Sequence, residues 1–406
     1  MSNGRHPLGA ELGIATIGGG LMAKAHTMAW RNLLPVYGAQ PAVPRFRILA
    51  DATEDLARSG AARLGYERHT ASWQEAVEDP AVDVVSIVTP NWLHREVALA
   101  AARAGKHIWC EKPLALTATD ALEMAEAAER AGVVTLVGFS YLRNPGLAVA
   151  RRLVEAGEIG DPVSFTGTFA IDAMTDPQTP FSWRQDRRLA GTGALGDLGA
   201  HVIAIARHLV GDIASVAALA STPVRERPMP AGTFGYGEAA DRTAPGRAVE
   251  NDDVTIFLAR FASGAIGSIE AHRSAAGRAY DLSFTLTGTK GAIRFDQQRM
   301  TQLEVRLASD PASMKGFRSL QLGPGDGDYG HLWPIAGINL GIHDLKLFEA
   351  HDLLGAIAGA SPAWPDFREG WRVEQVIDAV DEAAQSHEWV SVGAATAISR
   401  GPSPAA

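Results

Sequence analysis

A short apolar run, Leu12-Gly13-Ile14-Ala15-Thr16-Ile17, empties into Gly18-Gly19-Gly20-Leu21-Met22-Ala23. Such a run reads as a buried strand, and the G-x-G-x-x-A that follows demands a tight turn into a helix. Gly18 serves the turn, Gly20 lets backbone approach a pyrophosphate, and Ala23 lets the helix pack closely on the strand. The free N–H groups and positive dipole end of that helix then face an anion. Leu21 and Met22 belong to the same cofactor-facing turn. A second strand, Phe46 to Ala50, ends on Asp51. A carboxylate there accepts from an adenosine ribose and repels a 2′-phosphate, and neither Ala52 nor Thr53 welcomes that phosphate, so NAD is favoured over NADP. Gly20 and Asp51 stand about 30 residues apart, against the usual ~20. An inserted loop from Pro35 to Pro44 accounts for the excess. The plainer alternative is that Asp51 only caps the helix beginning near Glu54.

Strand and helix patterns keep alternating. Val84 to Val88 runs into Thr89-Pro90-Asn91 and a helix bearing His94; His107 to Cys110 runs into Glu111-Lys112-Pro113 and a helix from about Thr117 to Ala131; Val133 to Val137 follows. This alternation implies βαβ units and a parallel sheet, with ligands beyond the carboxyl ends of the strands. Thr89, Pro90, Asn91, His94, Glu111 and Lys112 therefore belong to the candidate cofactor site. Asn91 is either a nicotinamide contact or a turn residue, and His94 either a site residue or a surface helix residue.

After Phe139 the texture changes. A helix (Pro145 to Ala156) precedes Pro162 to Ile171, and from Asp253 onward hairpin-spaced strands dominate: Val254–Leu258, Ala265–Ala271, Leu282–Thr287 and Ala292–Phe295. The expected fold is an α/β Rossmann domain with a parallel sheet over 10–140. It is joined to an α+β domain over 141–393 with a large, mostly antiparallel open sheet, and 394–406 is a flexible tail. Thr222 to Arg247 reads as a long surface loop.

The second chemical constellation is Gly193-Ala194-Leu195-Gly196-Asp197-Leu198-Gly199-Ala200-His201. On a regular helix Asp197 and His201, at i and i+4, share one face, and a carboxylate beside an imidazole raises its pKa and tunes it for proton transfer. Trp183 and Arg184 either stack on and hydrogen-bond a polyol or pack as core and surface. Tyr141, Arg143 and Asp172 stand where the second half begins, as further candidates to line a substrate cleft. Glu349-Ala350-His351-Asp352 and His343-Asp344 imitate metal ligands, but the helical pattern around them suggests solvated faces, and no metal is assigned.

The net charge of −9 speaks against non-specific nucleic-acid binding. Cys110 is the only cysteine, which leaves no intrachain disulfide and no cysteine-based zinc site. No apolar run approaches membrane-spanning length. Arg5, Ile14 to Ile17 and Ala23-Lys24-Ala25 imitate a secretory signal, but cleavage there would remove the glycine loop, so a cytoplasmic location without membrane attachment is expected.

The order Gly18-x-Gly20 with His26, Thr89-Pro90-Asn91 with His94, Glu111-Lys112-Pro113, then Gly193 to His201, resembles the glucose–fructose oxidoreductase/inositol dehydrogenase (Gfo/Idh/MocA) family. Gly157-Glu158-Ile159-Gly160, Gly288-Thr289-Lys290-Gly291 and the helix from Asp366 resemble family segments as well. The resemblance implies NAD(P)-dependent oxidation of a ring secondary alcohol on a sugar, glycoside, anhydrosugar or inositol. It further implies Lys112, Asp197 and His201 as the catalytic trio, a cis Lys112–Pro113 bond, and a homodimer or homotetramer. In this expectation His201 removes the hydroxyl proton, Asp197 orients His201, and Lys112 hydrogen-bonds the oxygen. One departure is Ala204, where the family pattern commonly has an acid. Two other classes stay open: a redox-neutral glycoside hydrolase or lyase that retains NAD, and a non-catalytic NAD-binding regulator.

Overall fold

The computed structural model describes residues 10–232, 240–241 and 243–393; the expected tail from 394 lies outside them. The first half alternates as read: β1 (Ala10–Ile17), α1 (Leu21–Tyr37), β2 (Ala42–Ala50), α2 (Glu54–Leu64), β3 (Arg68–Thr70), α3 (Trp73–Glu78), β4 (Val84–Ile87), α4 (His94–Arg103), β5 (His107–Cys110), α5 (Ala118–Ala131) and β6 (Thr135–Val137). These strands form one parallel sheet in the order β3-β2-β1-β4-β5-β6. The order reverses between β1 and β4, which opens a crevice beyond their carboxyl ends.

The stretch between Gly20 and Asp51 is not an inserted loop. Helix α1 continues through Pro35 to Tyr37, and Pro44 already lies inside β2. Near a helix end a proline removes only one backbone bond, and Pro44 pairs on β1 from inside a strand that begins at Ala42, four residues earlier than the Phe46 expected. The extra separation is a long helix and a long strand.

The second half builds a nine-stranded sheet in the order Arg318–Gln321, Gln302–Leu307, Gly291–Asp296, Asp281–Gly288, Pro162–Ala170, Ile266–His272, Val254–Phe261, Ile213–Ser221, Val390–Ser391. Only Pro162–Ala170 with Ile266–His272 is parallel; the other neighbours are antiparallel. Alternation along Val254–Phe261 buries Phe257, Ala259 and Phe261 and exposes Ile256 and Leu258, as one covered face requires. The covering helix Ala200–Val210 is apolar and buried from Val202 to Ala206, and its neighbour Phe367–Ser386 begins on the Asp366 cap. The span 187–210 is in fact long and apolar enough to cross a membrane by composition, contrary to expectation, but 89% of its apolar window is buried inside the protein. It is apolar because it is core.

Two further departures bear on the site. The described ends of the 222–247 stretch are held: Glu226–Arg227 pairs with Arg247–Ala248, and buried Arg227 donates to the carbonyls of Met174, Asp176 and Thr179. The helix Ile342–Ile357 leaves the second half and returns to the first. Its Leu347, Ala350, Leu353 and Leu354 share a core cluster with Leu12 and Ile14 of β1, Trp30 and Leu33 of α1, and Trp109 of β5.

Candidate active site

The glycine loop meets the demands of a pyrophosphate cradle. Gly18 has φ +101°, and a side chain there would strike the Val88 carbonyl at 2.9 Å. Gly20, at the N-cap of α1, has open space where a Cβ would stand and no side-chain cap over the helix N–H groups. Backbone at Gly20 can therefore be approached closely from outside. Leu21 is 68% exposed at the same mouth, and Met22 is half-buried.

Asp51 ends β2 and accepts from the Gly19 amide (2.9 Å) and from Ala52 N (2.7 Å). The cap of α2 is Thr53, whose hydroxyl accepts from Leu56 N, so Asp51 ties the second strand to the glycine loop instead of capping a helix. Thr89 and Pro90 follow β4, and the Thr89 hydroxyl is buried with no hydrogen-bond partner among the described residues. Asn91 donates across the crevice to the Ala190 carbonyl at 3.0 Å. His94 is fully buried, its two ring nitrogens 3.0 Å from the carbonyls of Pro113 and Thr89; it fastens the β4 turn to the turn after β5. Neither reading left open for His94 describes that role.

Lys112 leaves the end of β5 ahead of a cis bond to Pro113. Its ammonium donates to the Asp197 carboxylate at 2.8 Å and to the Asp197 carbonyl at 2.6 Å. Asp197 lies on a π-helical turn, Leu195–Gly199, that runs into Ala200–Val210. Asp197 thus bonds Lys112, a partner that its i, i+4 spacing to His201 did not announce. π-Turns recur at functional sites because they re-aim a side chain. Burial alone would raise the Asp197 carboxyl, but Lys112, Arg184 and the Lys112 hydrogen bond hold it well below the usual carboxylate range. Arg184 approaches the second carboxylate oxygen at 3.9 Å.

His201 is buried within an aromatic box: the ring of Tyr141 lies edge-on at 4.7 Å, Phe169 at 5.8 Å and Phe139 at 6.1 Å. Its Nδ1 has no partner among the described residues. Burial first, then the Lys112 ammonium, push its imidazole well below its ordinary value, against the smaller upward pull of Glu111 and Asp197. The carboxylate's upward pull, which the sequence suggested, is present but outweighed by burial and Lys112, and this favours the neutral ring. Lys112, Arg184 and Asp197 keep 16%, 26% and 30% of their side chains exposed, which leaves the cluster open on one side.

The remaining candidates divide. Tyr141 is at the site and its hydroxyl bonds that of Tyr280. Trp183 packs edge-on against Trp92 (5.9 Å) under the Arg184 guanidinium (4.4 Å). Arg143 is committed elsewhere, to Asp352 at 2.7 Å and the Trp364 carbonyl. Asp172 is exposed beyond the strand Pro162–Ala170. Glu111 turns into the core instead of toward a cofactor, bonded to His26 at 2.9 Å and to Lys346. Glu349 is fully buried against Lys346 at 2.9 Å, so that helix face is not solvated. Among the described residues no group of side chains fits a metal ion.

Several structural contributors escaped the sequence reading. Asp252 accepts from the amides of Gly193 (2.6 Å) and Leu195 (2.8 Å) and from the Thr255 hydroxyl (2.8 Å), which holds the start of the π-turn. Asn251 and Arg273 both donate to the Arg184 carbonyl, and Arg273 forms a buried pair with Asp253 at 2.8 Å. The run Asn251-Asp252-Asp253, three polar residues ahead of an apolar strand, was the available signal.

Residues 12–139 match the model of an oxidoreductase family with an NAD-binding Rossmann fold, and 147–294 match the GFO/IDH/MocA C-terminal domain. The chain is 42% identical to levoglucosan dehydrogenase of Pseudarthrobacter phenanthrenivorans over 94% of its own length and 98% of that enzyme. It is 30% identical to myo-inositol 2-dehydrogenase of Thermotoga maritima, over 67% of this chain and 73% of that one. A solved levoglucosan dehydrogenase in complex with NADH and levoglucosan superposes with a TM-score of 0.88 at 41% identity, over 94% of this chain and all of that one. The chain belongs to the Gfo/Idh/MocA oxidoreductase family.

Proposed function

We propose that this NAD-dependent sugar dehydrogenase oxidises a ring secondary alcohol of a neutral anhydrosugar of the levoglucosan kind, with His201 as base. The observation that carries this reading is the Lys112–Asp197 pair beside a neutral, desolvated His201. Bound NAD⁺ supplies the hydride acceptor; the glycine loop, Asp51 and the Thr89 turn suit its pyrophosphate, ribose and nicotinamide ends. His201 takes the hydroxyl proton. The Lys112 ammonium hydrogen-bonds the same oxygen and stabilises the alkoxide as the carbon gives up hydride. Asp197 aims that ammonium and balances its charge, which is a different role from orienting His201. Trp92 and Trp183 offer an apolar wall for a sugar face, with Arg184 beside it.

The two units 10–140 and 141–393 suit a division into cofactor and substrate halves, with the helix Ile342–Ile357 packed on the cofactor half. The outward face of the nine-stranded sheet exposes Leu219, Ile256, Leu258 and Ile266, which supports a homodimer or homotetramer through that face.

The test is to incubate purified protein with levoglucosan, inositols and aldoses, each with NAD⁺ and with NADP⁺, and to follow reduced cofactor. NADH accumulation on an anhydrosugar, with kcat/KM above that on inositols, supports the reading. Sugar turnover without NADH overturns it in favour of redox-neutral chemistry.

A further inference from the structure

Directly beneath Lys112 lies a charged cluster with no role in the reaction as derived so far. Glu111 and Lys346 form an ion pair with side-chain exposures of 8% and 1%, and Lys346 also donates to Glu349, which is 0% exposed. His26 meets the same Glu111 oxygen, Oε1, at 2.9 Å and stacks on Trp109 at 3.7 Å, while the Lys346 ammonium sits 5.4 Å from the centre of the same indole. Gly138 makes room for the pair: a Cβ there would stand 2.7 Å from the Glu111 carboxylate and 2.8 Å from the Lys346 ammonium. Charges are expensive to bury, and a pair replaced by packed apolar groups often costs nothing in stability. Stability alone is therefore a weak reason for this arrangement. Its location suggests a stronger one, because Glu111 is bonded through the chain to Lys112.

We propose that Lys346 is a positioning residue of the dehydrogenase: by holding Glu111 it fixes the strand end from which Lys112 reaches the substrate and balances the charge beneath His201. The proposal rests on the reading of His201 as the base. Lys346 is faced by Glu111 from β5, Glu349 on its own helix, His26 from α1 and the Trp109 ring; Arg143 acts on Glu349 from the other side. His201 is faced by Lys112, Asp197, Glu111, Lys346 and the three aromatic rings. Burial keeps His26 neutral, with its pKa at about 4. Against the pull of burial, Lys346 and His26 hold Glu111 well below the carboxylate range. Lys346 thus supplies the cation that offsets Glu111. Without it, an unopposed carboxylate and a missing ammonium both favour protonated His201.

The experiment follows the titration of His201 itself, by NMR of histidine-labelled enzyme with the His201 signal assigned from its loss in His201→Ala. In Lys346→Met the midpoint should rise by about one pH unit, and the acid limb of kcat/KM should rise with it. In Lys346→Met/Glu111→Gln, which removes both charges, the midpoint should return to that of the parent while kcat falls ~10-fold through the loosened Lys112. A Lys346→Met enzyme whose His201 midpoint is unmoved overturns the proposal. If the single variant does not fold, the double variant decides, and parental kcat in it overturns the proposal. Activity retained in His201→Ala overturns the assignment of the base instead, and leaves the titration to judge Lys346 by itself.

Discussion

Lys112 and Asp197, 85 positions apart in sequence, are joined twice: the ammonium donates to the carboxylate at 2.8 Å and to the backbone carbonyl of the same residue at 2.6 Å. The double bond fixes direction as well as charge. It spends two of the three donors of the ammonium and leaves one for a substrate oxygen.

Replacing Lys112 by Met should therefore lower kcat by at least ~100-fold, with NADH affinity near that of the parent, since the ammonium is not part of the glycine loop. Asp197→Ala should follow it, because the freed ammonium loses its aim. Steady-state kinetics together with NADH fluorescence titration separate the two effects.

The pH dependence of the base follows from its burial. His201 must be unprotonated to act, and its imidazole lies well below its ordinary value. The His201 limb of the kcat/KM profile should accordingly fall below pH ~6.5, the value of an unperturbed histidine. A limb at or above that pH would contradict the desolvated box of Phe139, Tyr141 and Phe169.

Asp51→Ala should weaken NAD⁺ selectively. A hydrogen bond to a charged group contributes about 1.5–3 kcal/mol, so the KM for NAD⁺ should rise ~10-fold or more, while the repulsion of a 2′-phosphate disappears. The ratio of kcat/KM for NAD⁺ to that for NADP⁺ is the measurement, and it should move toward NADP⁺.

Glu374, on the helix Phe367–Ser386, accepts from the amide of Ala115 just beyond the Lys112 turn. Burial, reinforced by Asp378, pushes its carboxyl up to about 8. A folded-state value above the unfolded one means that the native protein holds a proton the unfolded chain releases. Its stabilising effect is then complete below pH ~4.3 and fades as pH climbs toward 8. Glu374→Gln, which keeps an acceptor, should unfold at the same temperature as the parent near pH 4 and be more stable by ~1 kcal/mol or more near pH 8. Thermal melts across that range would check it.

Much of this site was legible because its motifs are local. Gly18, Gly20, Asp51 and Lys112 each occupy a strand end that hydrophobic run and turn residue announce together. What escaped was set by packing across the chain. Lys346 meets Glu111 from 235 positions away, inside a helix whose polar residues imitate an exposed face. The π-turn at Leu195–Gly199 has the glycines of an ordinary close-packed helix, and Asp252, which accepts from the Gly193 and Leu195 amides at its start, stands more than fifty positions away. The i, i+4 spacing of Asp197 and His201 gave no sign of Lys112, which meets Asp197 from 85 positions away. Pro35 failed as a boundary because it falls in a last turn, where a missing N–H costs little.

The return of Ile342–Ile357 to β1, α1 and β5 makes the cofactor half depend on a distant stretch of the same chain. Trp30, Leu33 and Trp109 stay uncovered until that helix docks, so a fragment that stops ahead of Ile342 should present a raw apolar flank and aggregate.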